Sequence, residues 1–128
     1  MGSDDAAIAM NKLGELAKES GLVFADFVEL WTEDTGHQLR LASAALAAGD
    51  LRAAARLVQR ASAASGICGV TGLADELRVV EDLAAEGRIS DALEALANAR
   101  VRFAAISAAL RANRRPAPNG PSSAGPRG

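Results

Sequence analysis

The chain has 128 residues, a length that suits one domain with a single hydrophobic core. About half of its residues are apolar but only 3% are aromatic, which favours helices rich in alanine and leucine over a β-sandwich or barrel. The net charge of −2, with charges of both signs interspersed, lacks the basic footprint of a nucleic-acid-binding domain, and no apolar run reaches the roughly 18 residues of a membrane span.

The prolines divide the chain into two parts. All four of them, Pro116, Pro118, Pro121 and Pro126, lie after residue 115. We therefore predict a helical domain over residues 1–115 and a disordered tail rich in Pro, Gly and Ser over residues 116–128. The first five residues are acidic and no segment typical of a secretory signal follows them, so we expect a cytoplasmic protein.

The first half of the domain contains three stretches with helical periodicity. The first ends at Ser20-Gly21, and the second carries an apolar stripe from Val23 to Trp31. Thr35-Gly36 is predicted to interrupt or bend the chain before a third stretch, Leu39 to Leu46. Gly49-Asp50 then has the pattern of a helix-ending glycine followed by the N-cap of the next helix.

Three more helices follow, separated by short loops. The fourth is predicted to turn Ala54, Leu57, Val58, Ala61, Ser65 and Cys68 inward, and Thr71 is the expected N-cap of the fifth. The fifth ends at Gly87, and Ser90 is the expected N-cap of the last. Because loops of two to four residues make consecutive helices antiparallel neighbours, we predict an all-α, up-down antiparallel bundle.

The fourth helix carries a specific pattern. Histidine phosphotransfer (HPt) domains have the motif His-x-Leu-Lys-Gly in one helix, followed by small residues and a second Gly. The stretch from Val58 to Val70 resembles it, with Gln59 at the histidine position, Ser62 at the lysine, Ala63 at the first glycine and Gly69 at the second.

The resemblance extends over about residues 6 to 110. Phe24 to Trp31 is similar to the family's Phe-rich helix, and Leu46 to Asp50 to its Leu-x-x-Gly-Asp turn. Leu77 to Glu81 and Ala85 to Arg88 are similar to the next helix and its terminating turn. The resemblance implies an HPt-like four-helix core with an additional N-terminal helix, and a place in a bacterial two-component phosphorelay.

The departure at Gln59 decides the predicted chemistry. In the HPt family the imidazole attacks an aspartyl phosphate, whereas a glutamine amide is not nucleophilic because its nitrogen lone pair is delocalised into the carbonyl. We therefore predict a protein that is not an enzyme and binds a response-regulator receiver domain or a histidine kinase without accepting phosphate. Helical spacing predicts a docking surface, here named the Gln59 face, which comprises Arg56, Gln59, Arg60, Ser62, Ala63 and Gly66.

Other residues offer little chemistry. His37, the only histidine, is expected on the surface at a helix boundary, and Cys68 is expected to pack in the interior. One His and one Cys do not make a tetrahedral metal site, so we predict no metal and no cofactor.

Two alternatives remain open. In one, Gln59 was introduced into an active phosphorelay HPt protein. In the other, the chain is an unrelated dimerisation or assembly module in which Phe24, Phe27 and Trp31 form a partly exposed interface. We expect a monomer or a weak dimer, with no nucleic-acid or membrane partner.

Overall fold

The computed structural model describes residues 2–20 and 23–113, and these residues form five α-helices. Helix α1 spans Gly2–Ser20, α2 Phe24–Ala47, α3 Leu51–Ile67, α4 Thr71–Ala85 and α5 Ile89–Asn113. The described residues contain no β-strand, and the prediction of an all-α, up-down bundle is confirmed. The predicted tail, residues 116–128, lies outside the described residues.

The connections α2–α3, α3–α4 and α4–α5 share one backbone conformation. Each contains a glycine with positive φ: 79° at Gly49, 84° at Gly69 and 76° at Gly87. The glycine N–H donates to the carbonyl three residues back, and the next N–H donates to the carbonyl five residues back, which is the Schellman motif. A left-handed backbone conformation costs other residues about 1–2 kcal/mol. Glycine avoids this cost, so the chain can reverse direction at each of these turns and consecutive helices run antiparallel.

One predicted N-cap is confirmed and two are wrong. The Asp50 carboxylate accepts a 3.2 Å hydrogen bond from the Ala53 N–H at the start of α3. At the start of α4 the N-cap is Val70, which offers no side-chain hydrogen bond, and Thr71 is already helical. Helix α5 begins at Ile89, so Ser90 lies inside it. In all three turns the residue after the glycine precedes the next helix directly, which leaves no room for a cap one residue later.

Helices α2, α3, α4 and α5 form a ring in which each packs against its neighbours in the sequence and α2 closes on α5. Two ion pairs join α5 to other helices: Arg102 to Glu76 of α4 at 2.8 Å, and Arg111 to Glu29 of α2 at 3.0 Å. Helix α1 is the additional N-terminal helix and packs on α5, α2 and α4. The four-helix core therefore has α3 and α5 at diagonal corners.

The core consists mainly of leucine, valine and alanine, and an aromatic contact between α2 and α5 lies at its edge. The rings of Trp31 in α2 and Phe103 in α5 have centroids 5.2 Å apart with an interplanar angle of 58°. Phe103 also packs over Gly36, where an added Cβ would lie 3.4 Å from the ring. The predicted interruption at Thr35-Gly36 is wrong, because α2 continues through both residues and both are buried. This packing offsets the roughly 1 kcal/mol that glycine costs inside a helix.

The buried position of Trp31 bears on the assembly-module alternative. Trp31 is only 5% exposed, and Phe24 and Phe27 are half-buried against the core. The expectation that Trp31 contributes to an exposed interface is therefore wrong, since the stripe from Phe24 to Trp31 packs mainly inside the bundle.

Candidate functional site

Gln59 lies in the middle of α3 and is exposed to solvent. Among the described residues its side chain has no hydrogen-bond partner. Its neighbours one turn away differ in kind: Arg56 is a long, exposed cation, whereas Ala63 is a small, exposed side chain. The amide at position 59 is therefore accessible to a partner, and it binds only as a hydrogen-bond donor and acceptor.

Small residues leave the C-terminal part of the Gln59 face flat. Ala63 is exposed and Gly66 is half-buried, and an added Cβ on Gly66 would meet no atom within 4 Å. A partner's backbone can therefore approach α3 closely at Ala63 and Gly66, between the exposed side chains of Gln59, Arg60 and Ile67.

Ser62 is buried, so the prediction that it lies on the exposed Gln59 face is wrong. Its side chain is 5% exposed, and its hydroxyl donates a 3.0 Å hydrogen bond to the carbonyl oxygen of Ala74 in α4. This hydrogen bond therefore links α3 to α4. The exposed face is narrower than the helical spacing predicted, and it comprises Arg56, Gln59, Arg60, Ala63 and Gly66.

The charge of α3 differs from that of the rest of the chain. Its exposed charges are Arg52, Arg56 and Arg60, and its sequence contains no acidic residue. None of these three arginines forms an ion pair or a side-chain hydrogen bond with the described residues. Elsewhere, Arg78, Arg88, Arg102 and Arg111 are paired with carboxylates, whereas Arg40 and Arg100, like the arginines of α3, have no ion-pair partner among the described residues. Helix α3 therefore presents unneutralised positive charge on a protein with a net charge of −2, which favours an acidic partner surface.

A small cavity of about 170 Å³, which was not predicted from the sequence, lies between α2 and α3. Its α3 wall consists of Ala64, directly after Ala63, and Cys68. On the α2 side, Trp31 Nε1, Thr35 Oγ1 and Gln38 Oε1 are buried without a hydrogen-bond partner among the described residues. The only hint in the sequence is that these three residues recur at helical spacing. The cavity thus combines apolar walls with unpaired polar atoms beside the Gln59 face.

Cys68 and His37 do not supply a nucleophile to this face. Cys68 is buried, as predicted, and burial raises the pKa of its thiol to about 11, so the thiol stays protonated near neutral pH. His37 is exposed, but it lies inside the continuous helix α2 and not at the predicted helix boundary.

No cluster of three or more His, Cys, Asp and Glu side chains among the described residues is arranged to hold a metal ion. None of the described helices combines the length and the apolar character that crossing a bilayer requires.

Comparison with known proteins found no match: no family model, no curated protein and no solved structure matches this chain.

Proposed function

We propose that this protein is a non-catalytic, HPt-like binding protein of a bacterial two-component system. It binds a receiver domain or a histidine kinase through the Gln59 face and modulates phosphotransfer without accepting phosphate. The observation that carries the proposal is an exposed amide at Gln59, where the resemblance places the phosphoacceptor, on a helix whose charges are all positive.

The charge distribution supports an acidic partner site. Arg56 and Arg60 flank Gln59 and have no acidic partner among the described residues. A surface of this kind steers an acidic partner toward α3 and weakens with added salt. The small side chains of Ala63 and Gly66 then allow the close approach that the family's glycine allows.

The buried position of Ser62 supports a binding role over an acceptor role. The family's lysine at this position would offset phosphoryl charge, whereas here a short hydroxyl is engaged with Ala74. The nucleophile is therefore replaced by a non-nucleophilic amide, and the charge that assists it by a neutral, buried hydroxyl.

The test separates binding from phosphotransfer. The wild type and Gln59→His are each incubated with phosphorylated receiver domains, and with active kinases and labelled ATP, from the source organism. We expect the wild type to bind at least one of these domains and to remain unlabelled, because it has no nucleophile at position 59. Label on the wild type would contradict the proposal, as would the absence of binding to every receiver and kinase domain.

Gln59→His also addresses the alternative of an introduced substitution. If the protein were an active HPt protein altered only at position 59, the variant would accept phosphate rapidly. We expect it to do so slowly or not at all, because Ser62 is buried and no lysine stands one turn away.

A further inference from the structure

Helix α5 has a second apolar face that no part of the described structure covers. Its inner residues Leu96, Ile106 and Leu110 are buried, yet its outer side is also rich in alanine and carries Val101 at 70% exposure. A helix that is apolar on both sides is typical of a helix buried on both sides. The outer side of α5 therefore lacks a packing partner within residues 2–20 and 23–113.

The exposed residues of this outer side form one straight strip. They follow one another in steps of three, four, three, four and three residues, and all six are exposed: Glu94, Ala97, Val101, Ala104, Ala108 and Arg111. This is the spacing of a coiled-coil seam. Its alanines permit close helix approach, and its charged ends have opposite sign. We name this strip the α5 seam.

The α5 seam borders a groove between α5 and α2. The groove consists of two adjoining hollows of about 440 and 430 Å³ that share Gly36, Arg40, Phe103 and Ala104. Its floor is the Phe103 ring over Gly36, so a helix lying along the seam would contact α2 as well.

Two buried hydroxyl groups line one of these hollows. Thr32 and Ser107 are 8% and 5% exposed, and neither hydroxyl has a hydrogen-bond partner among the described residues. Buried polar groups in native proteins are nearly always paired. Both oxygen atoms are almost inaccessible to solvent, so they lie behind the surface of the hollow and offer no contact to a molecule seated in it.

The charged side chains that line the groove indicate what kind of molecule binds in it. Arg100 lines only one hollow and Glu33 only the other, while Arg40 lines both. The hollow with Arg100 is therefore the cationic end, and none of the three residues has an ion-pair partner among the described residues. The tail after Asn113 does not complement the cationic end, because it contains arginines and no acidic residue. A second copy in antiparallel orientation does, because it brings its own Glu33 carboxylate to this cationic end.

We propose that a second copy of this chain covers the face formed by α2 and α5, with the two α5 helices antiparallel about a twofold axis between Val101 and Ala104. In this register Val101 lies opposite the partner copy's Ala104, and Ala97 opposite Ala108. Glu94 lies opposite Arg111, whose guanidinium also pairs with Glu29. The same axis brings Glu33 of one copy to the level of Arg40 and Arg100 of the other.

The dimer leaves both Gln59 faces free. Helix α3 packs against α2 and α4, diagonally opposite α5, so the two α3 helices point away from the twofold axis. The dimer would therefore be bivalent for the proposed partner, although this inference stands without the proposed function.

Sedimentation velocity on the full chain, at concentrations up to about 1 mM, tests the dimer. We expect the wild type to form a dimer in a concentration-dependent way. Val101→Glu should raise its dissociation constant at least about tenfold, because two carboxylates would be buried near the axis. Val79→Glu on α4, where the valine is 52% exposed, is the matched control and should leave the dimer intact.

A charge exchange tests the antiparallel register. Glu94→Arg and Arg111→Glu should each weaken the homodimer, whereas an equal mixture of the two variants should form a heterodimer in which both charge pairs are restored. Circular dichroism checks that each variant is folded. A wild type that stays monomeric at all concentrations overturns the proposal, as does equal weakening by Val101→Glu and Val79→Glu, or a mixture of folded charge variants that stays monomeric.

Discussion

The hydroxyl of Ser62 in α3 donates a 3.0 Å hydrogen bond to the carbonyl oxygen of Ala74 in α4. This contact lies on the side of α3 that turns toward α4, one residue before the exposed Ala63. It therefore marks the edge at which the Gln59 face ends and the interior of the bundle begins.

Substitutions at Ser62 should affect stability, while the same changes at Ala63 should not. We expect Ser62→Ala to lower the free energy of unfolding by about 0.5–1.5 kcal/mol through loss of the buried hydrogen bond. Ser62→Lys should lower it by at least about 2 kcal/mol, because an ammonium group would be forced against α4. Ala63→Lys is the matched control and should change it by less than about 0.5 kcal/mol. Urea unfolding measures all three, and a well-tolerated Ser62→Lys would show that position 62 is accessible after all.

The glycines of two inter-helix turns, Gly49 and Gly69, differ in how closely other side chains pack against them. Gly49 and Gly69 both have positive φ, but an added Cβ at Gly49 meets nothing within 4 Å, whereas at Gly69 it would lie 2.9 Å from Lys12 Cβ. We expect Gly49→Ala to cost about 1 kcal/mol through backbone strain alone. Gly69→Ala should cost clearly more, since it also pushes α1 away from the α3–α4 turn.

Hydrogen exchange distinguishes the two effects. In Gly69→Ala the amides of α1 near Ile8 and Lys12 should lose protection, and in Gly49→Ala they should keep it. Equal losses of stability in the two variants, with α1 still protected, would show that α1 does not pack on this turn.

Some features that depend on neighbouring residues in the sequence were predicted correctly, whereas some that depend on tertiary contacts were not. Gly49, Asp50 and Gly87 were located correctly because a helix-ending glycine and an aspartate N-cap act on the backbone beside them. Thr35-Gly36 was assigned wrongly because its local tendency to break a helix is offset by Phe103, a residue far away in the sequence.

The Gln59 face also shows that the sequence of a single helix does not reveal its tertiary contacts. Helical spacing placed Gln59, Ser62, Ala63 and Gly66 on one strip, and Gln59 and Ala63 are indeed exposed. The spacing does not say where a neighbouring helix covers the edge of the strip, so the burial of Ser62 against α4 went unpredicted. The outer face of α5 escaped notice for a related reason, since alanine fits a buried and an exposed helical surface equally well.

Burial of Cys68 should make stability depend on pH in the alkaline range. Its folded-state pKa of about 11 lies above the thiol's ordinary value of 9.0, so the thiol binds its proton more tightly in the folded state. Its contribution to stability is therefore fully present below pH 9.0 and is lost as pH rises toward about 11. Urea unfolding of the wild type and of Cys68→Ala across this range should show a steeper loss for the wild type.

Alkylation provides an independent measure of the same burial. At pH 8 we expect iodoacetamide to modify Cys68 at least about tenfold more slowly in the folded protein than in urea, because less thiolate is present and access is restricted. Rapid modification of the folded protein would show that Cys68 is accessible and reactive.

Size and charge on the Gln59 face should control binding of the proposed partner. Ala63 is exposed in the middle of this face, and arginine is a good helix former, so Ala63→Arg should keep helicity and thermal stability. It should nevertheless weaken receiver or kinase binding at least about tenfold, roughly 1.4 kcal/mol, because a long charged side chain then occupies the space that a partner's backbone needs. Ala85→Arg, at an exposed alanine of α4, is the control and should bind normally.

Charge reversal on the Gln59 face distinguishes electrostatic attraction of the partner from steric exclusion of the partner. Arg56→Glu should weaken binding less than Ala63→Arg, and the difference from the wild type should shrink as salt is added, because Arg56 is exposed and acts through solvent. Isothermal titration at two salt concentrations measures both effects. Should Ala63→Arg bind normally while a substitution on another helix abolishes binding, docking on the Gln59 face is wrong, even though the helical bundle is right.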